Sequence, residues 1–179
     1  ISIGLVGSEM CIRDRDITVN VTNVNDNSPS ITSSASFSAA ENQTSIGTVT
    51  SIDADGDTIS YSLSGTDASS ININSSSGVL TFNSAPDYET KASYSVIVTV
   101  SDGTNSSTQT ITINITNVND NSPTITSGSS FSVSEGQIAI GTVTATDADG
   151  DTVSYSLSGT DASSMSINSG SGVLKFNLS

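Results

Sequence analysis

The sequence predicts an all-β chain of tandem, seven-stranded, Greek-key, immunoglobulin-like β-sandwiches. Three observations predict it. The first is a long internal repeat. Residues 16–85 align with 110–179 without a gap, and 50 of the 70 pairs are identical. A period of 94 residues is that of a small domain with its own core, not of a solenoid repeat. The second is short apolar alternation at period two, with no helical period anywhere. The third is recurring turn chemistry. Asn-Val-Asn-Asp-Asn-Ser-Pro stands at 23–29 and again at 117–123, and Asp-Ala-Asp-Gly-Asp stands at 53–57 and 147–151.

Residues 1–15 have no counterpart 94 residues on. Through Met-Cys-Ile-Arg-Asp-Arg they resemble translated sequencing-adapter peptides, so a non-native leader or assembly artefact is expected there and is set aside. Residues 16–29 read as the last strand (Ile17, Val19 and Val21 on one face) and the linker of a preceding repeat. Residues 30–123 read as one complete repeat with its linker. Its strands are expected at 31–40, 45–52, 58–63, 69–74, 79–83, 94–101 and 108–117. Tyr94, Val96, Val98 and Val100 form one inward face, and Ile111, Ile113 and Ile115 another. Without a Cys-Trp-Cys core this is not a true immunoglobulin domain. Residues 124–179 read as a second repeat lacking its last two strands, hence less stable, with open apolar faces.

Composition narrows the function. The net charge is −14, with 18 acidic against four basic residues. Such a chain repels phosphate backbones, which makes nucleic acid a poor partner and cations good ones. There is no histidine, which removes histidine bases and histidine-ligated zinc. The single cysteine, Cys11, leaves no intramolecular disulfide, so a secreted chain would need another staple, and a metal is one option. Low Lys with abundant Ser, Thr and Asn fits a secreted bacterial β-protein. No run of 18 apolar residues is present.

The two heptapeptides sit at the joints between repeats. Asp and Asn offer side-chain oxygens, and an Asn-rich turn exposes carbonyls; calcium takes six to eight such oxygens. The same residues also make ordinary turns. The Asp-Ala-Asp-Gly-Asp loop is not an EF-hand loop, since its Gly is fourth, no Glu follows at twelve and no helices flank it. It could be a plain turn with Gly56 or Gly150 at positive φ. Asp87 and Glu89 could suggest a carboxylate-pair hydrolase, but they lie two apart on one segment and the chain has no Trp platform for a sugar.

Asn117-Val118-Asn119-Asp120-Asn121-Ser122-Pro123 closely resembles the Asp-x-Asn-Asp-Asn-x-Pro linker of cadherin repeats, with Asn23 and Asn117 in place of the first Asp. The resemblance implies cadherin-like sandwiches with Ca2+ at the interdomain linkers. At the central joint it implies Glu41, Asp87, Glu89, Asn117, Asn119, Asp120, Asn121, Asp147 and Asp149 as ligands. At the upstream joint it implies Asn25, Asp26, Asn27, Asp53, Asp55 and Asp102, half of a site. Asp57 and Asp151 stand where the family usually has a longer loop with an Asn. Glu135 would serve a joint further on.

The reading is therefore a non-enzymatic, calcium-binding adhesion protein whose ions rigidify a multi-domain rod. It would be extracellular or at the cell surface, anchored by a part outside this sequence, and its near-identical neighbours and low aromatic content resemble a bacterial adhesin more than an animal cadherin. Its partners would be calcium, other repeats of the same chain, and a cell-surface protein or glycan. A passive stalk of a large secreted enzyme and a carbohydrate-binding sandwich remain as alternatives.

Overall fold

The computed structural model describes residues 18–177, so the expected leader at 1–15 lies outside the described residues. Nine strand segments build the N-terminal sandwich: β1 (Ser30–Ile31), β2 (Ser36–Ala40), β3 (Ser45–Thr48), β4 (Ser51–Ile52), β5 (Ser60–Ser64), β6 (Ile71–Ile73), β7 (Val79–Phe82), β8 (Ser93–Ser101) and β9 (Ser106–Thr116). One sheet runs β2-β9-β8-β5 and the facing sheet β3-β7-β6, with β1-β4 as a separate ribbon. Two expected strands are thus each broken in two. The stretch expected at 31–40 divides because β1 pairs antiparallel with β4 while β2 pairs parallel with β9. One chain segment serves two sheets, so it must leave the ladder between them. The stretch at 45–52 divides after a register shift between Ser45 and Gly47.

Alternation decides the core. In β8 the side chains of Val96, Val98 and Val100 are fully buried, as are Ile111 and Ile113 in β9, and they meet Leu80, Phe82 and Ile71 from the facing sheet. Each such aliphatic contributes about 1.5–3 kcal/mol relative to exposure. Ile59, Tyr61 and Leu63 pack half-buried against this core, on the face expected of them. The turn between β6 and β7 requires glycine. Gly78 has φ +70°, and a Cβ there would lie 2.2 Å from the Val49 carbonyl oxygen.

At the rim, Lys91 binds the Asp67 carboxylate and lies 4.7 Å from the centroid of the Tyr94 ring, which meets Phe82 edge-on at 5.0 Å. Lys91, then the Ser95 N–H, holds the Asp67 carboxyl below its ordinary value of 3.8. A depressed carboxylate contributes stability that is present above its unfolded value and lost as pH falls through the lower folded one. Lys91→Ala is therefore expected to cost about 1 kcal/mol at neutral pH, given that Lys91 is partly solvated. The difference from the parent should begin to shrink near pH 3.8 and go on shrinking at lower pH, as the depressed Asp67 carboxylate is protonated. Paired thermal melts across pH check this; a pH-independent difference would contradict it.

Residues 124–177 repeat only half of this architecture. β10 (Thr124–Ile125) pairs with β12 (Ala145–Thr146), while β11 (Ala139–Thr142), β13 (Met165–Ile167) and β14 (Val173–Phe176) form a sheet in the order β11-β14-β13. Residues 130–134 and 154–158, offset by 94 from β2 and β5, join no ladder. In the N-terminal sandwich β2 pairs with β9 and β5 with β8, and residues 124–177 contain no counterpart of β8 or β9. Leu174 is the only buried large hydrophobic in this part among the described residues. Ile125, Phe131, Ile138 and Phe176 stay substantially exposed. An open cavity of about 400 Å³ is lined by Ile125, Val143, Val153, Tyr155, Leu157 and Ile167.

The strand expected at 16–23 is corrected over its described part. Among the described residues, 18–23 join no ladder, and Val19 and Val21 are 77% and 91% exposed. A lone strand has no ladder to satisfy its backbone, so alternation alone does not make one. Among the described residues no helix is long and apolar enough to cross a membrane.

Candidate metal centre

The joint is assembled by a small set of carboxylates that grip backbone N–H groups. Asp149 is the clearest. Its Oδ2 accepts from the N–H groups of Asp120 (3.1 Å) and Asn121 (2.8 Å), and its Oδ1 from the Asn121 side-chain amide (2.9 Å). Asn117 Nδ2 donates to the Asp149 carbonyl at 2.8 Å. The loop that presents Asp149 is closed by Asp147 Oδ1, which accepts from the Asp149 N–H, and by Gly150 at φ +81°. The upstream joint repeats the pattern. Asp55 accepts from Asp26 N–H, Asn27 N–H and Asn27 Nδ2, and Asn23 Nδ2 donates to the Asp55 carbonyl at 2.6 Å. Gly56 is left-handed at φ +79°, as the turn reading expects.

Glu41 follows β2 and is 3% exposed. Its Oε2 accepts from the Tyr88 N–H at 2.8 Å and its Oε1 from the Val118 N–H at 2.7 Å. One buried carboxylate therefore ties the end of β2 to the Pro86–Glu89 turn and to the linker. Asn42, left-handed at φ 63°, turns its amide to Asp120 Oδ2 at 2.5 Å.

These contacts bring four carboxylates together. Glu41, Glu89, Asp120 and Asp149 each place an oxygen within 4.8 Å of the others. Two like charges at 4 Å repel by about 4 kcal/mol at an effective dielectric of 20. The strain registers on Glu89, whose carboxyl is pushed up by desolvation and then by the charges of Glu41 and Asp149. Asp149 is held below the ordinary carboxylate value, first by the Asn121 amide. Glu41, Glu89 and Asp120 border a cavity of about 160 Å³ that Asn42, Asp87 and Asn121 also line.

Several residues expected at the central joint are placed otherwise. Asp87 reaches the cavity wall, but its oxygens accept from the Thr90 N–H and hydroxyl, and that hydroxyl, ahead of the N–H, lowers its pKa. Asp147 is drawn into its own loop and groups with Asp149 and Asp151. Asn119 is exposed and makes no side-chain hydrogen bond among the described residues. Asn117 and Asn121 act as donors to Asp149, Asn117 to its carbonyl and Asn121 to its carboxylate. Asn42 and Asn105 belong to the joints and were missed. Asn105 Nδ2 donates to Asn25 Oδ1 and to the Asn27 carbonyl, both at 3.1 Å. Their signal was adjacency, Asn42 to Glu41 and Asn105 to the Asp102-Gly103 turn.

The upstream joint offers unspent oxygens. Asp53 Oδ1 accepts from the N–H groups of Asp55 and Asp57, and Asp102 Oδ1 from those of Thr104 and Asn105. Asp53 Oδ2, Asp57 Oδ2 and Asp102 Oδ2 are buried atoms with no hydrogen-bond partner among the described residues. Desolvation and the charges of Asp53, Asp55 and Asp102 raise the Asp57 pKa. Orphaned carboxylate oxygens of this kind are what a hard, oxygen-seeking cation satisfies, so the upstream donor set fits calcium.

A family model described as "Cadherin domain" matches residues 34–116. No curated protein matches the sequence. Among solved structures the chain is similar to mouse cadherin-23 EC22-24, at 27% identity and TM-score 0.72 over 87% of this chain and 55% of that one. It is similar to the human desmocollin-1 ectodomain at 26% identity and TM-score 0.66, over 86% of this chain and 34% of that one. Human protocadherin-24 EC1-2 shares the fold at 23% identity and TM-score 0.70, over 87% and 79%. The chain thus spans about half of the cadherin-23 fragment and a third of the desmocollin ectodomain.

Proposed function

The N-terminal sandwich is a cadherin-like domain, and from that premise we propose that calcium at its joints stiffens an extracellular, non-catalytic adhesive rod. The observation that carries this reading is the meeting of Glu41, Glu89, Asp120 and Asp149 from four separate stretches of sequence. Glu41 and Glu89 belong to the N-terminal sandwich, Asp120 to the linker and Asp149 to the strands beyond it. A bound cation joins all three. Without one, mutual repulsion pushes them apart.

In this proposal residues 30–123 are one repeat with its linker, and a second begins at Thr124. Asp87 and Asp147 complete the central ligand set, with Asn119 contributing an oxygen. Asn25, Asp26, Asn27, Asp53, Asp55 and Asp102 are the lower half of the upstream joint. Calcium suits these sites better than magnesium, which demands compact octahedral geometry and keeps its waters. Affinity is expected at about 10⁻⁴–10⁻³ M.

The test is a pair of thermal melts on the whole chain, in calcium and in chelator, with Asp120→Ala beside the parent. Calcium should raise the parent's melting temperature, and the variant should lose the part of that rise that comes from the central joint. In chelator the variant should melt no lower than the parent, because removing one of four clustered charges relieves repulsion. Equal calcium responses in the two proteins would overturn the assignment.

A further inference from the structure

The N-terminal sandwich carries a second cavity, which shares only Asp87 with the one at the carboxylate cluster. Its volume is about 380 Å³, and it opens between the short helical turn Ala68–Ser70, the loop 83–87 and the start of β8. That size is ordinary for a small-molecule site. Its aromatic lining is Phe82 and Tyr94, whose rings meet edge-on at 5.0 Å. Its polar lining includes Ser69, Ser70, Asn83, Ser84 and Asp87.

The groove is built before any ligand arrives. Asn83 is pinned twice, its N–H donating to the Ser70 carbonyl at 2.9 Å and its Nδ2 to the Ser69 carbonyl at 2.8 Å. Asp87 is pinned at both ends of the residue. Its carboxylate accepts from the Thr90 N–H at 3.1 Å and the Thr90 hydroxyl at 2.9 Å, and its carbonyl from the Lys91 N–H at 2.9 Å. Pro86 beside it is buried, and its carbonyl accepts from the Asn42 N–H at 3.1 Å. Little ordering is therefore left to oppose binding.

The lining selects the chemistry of the ligand. Asp87 is its one charged side chain, on a chain of net charge −14, so an anion is repelled. A cation would meet the Lys91 ammonium, which lies 4.7 Å from the Tyr94 ring centroid. An apolar ligand would desolvate the serine hydroxyls without pairing them. A neutral ring rich in hydroxyls meets none of these penalties. Its hydroxyls can donate to the Asp87 carboxylate and to Asn83 Oδ1, the half of that amide left as an acceptor. Its C–H face can bury against the two aromatic rings.

We propose that this groove binds one neutral pyranose unit of a glycan, held by Asp87 and Asn83 against Phe82 and Tyr94. The groove stands whether or not an ion fills the joint.

Amide NMR on the full chain in chelator tests the proposal. The probes are the methyl glycosides of glucose, galactose, mannose and N-acetylglucosamine, each titrated to tens of millimolar. At least one should shift the amides of Ser69, Asn83, Ser84 and Thr90 saturably. Asp87→Asn should weaken that binding about tenfold or more, because it removes a charged acceptor. Ser84→Trp, at an exposed position, should fill the groove and abolish saturation with the melting temperature unchanged. Absence of any saturable shift with all four glycosides overturns the proposal. So do shifts confined to other residues, or parental affinity in either variant. Preference for the methyl glycoside of N-acetylneuraminic acid overturns the neutral assignment. Binding that appears only with calcium places the sugar on the ion instead of in the groove, and the proposal fails.

Discussion

Glu41→Ala is expected to lower the melting temperature of the N-terminal sandwich by roughly 10 °C in chelator, before any metal is considered. The carboxylate is 3% exposed and receives the Tyr88 and Val118 N–H groups. Truncation strands both donors in a partly buried place, at about 1 kcal/mol or more each. It also unties β2 from the linker, so the joint should become more sensitive to protease even at saturating calcium. Glu41→Gln separates the two roles. Its carbonyl oxygen still accepts one N–H, so most of the stability should return, while the charge owed to a cation does not. If Glu41→Ala melts with the parent in chelator, the residue is not holding these segments together.

The second large effect is expected at Asp149. Asp149→Ala should abolish calcium-dependent protection of the 117–123 linker from proteolysis, whereas Asp55→Ala should leave it intact. The two aspartates are matched in their local contacts, each accepting from two backbone N–H groups and one Asn amide of its linker. They differ in company. Asp149 shares its cluster with Glu41, Glu89 and Asp120 from across the joint, while among the described residues Asp55 clusters with Asp53 and Asp57 of its own loop. A cation at the central joint therefore bridges domains through Asp149. Equal protection in both variants would mean that Asp149 holds no ion shared across the central joint.

Much of this architecture was legible because strand alternation is a local code. Val96, Val98 and Val100 must share a face whatever they pack against, and that face is the one the core takes. The positive φ of Gly56 and Gly150 was likewise written in the Asp-Gly pair. The breaks in the strands at 31–40 and 45–52 were not legible. They depend on which partner edge each half finds, and partner edges are set by the whole fold. The isolated segment 18–23 failed as a strand for the same reason, since its alternation is intact and its ladder is missing.

The joint divides in the same way. By itself the sequence determined an acidic, histidine-free chain, its 94-residue period and the linker where its acidic groups gather. Those properties are counted along the chain. Only the tertiary structure decided which oxygens meet. It set Glu41, Glu89, Asp120 and Asp149 face to face. It turned Asp87 to Thr90 and Asp147 to its own loop. It also made Asn117 a hydrogen-bond donor to the Asp149 carbonyl, where the resemblance of the linker implied a calcium ligand. An amide can offer either its oxygen or its N–H, and the choice belongs to the neighbour that folding brings within reach.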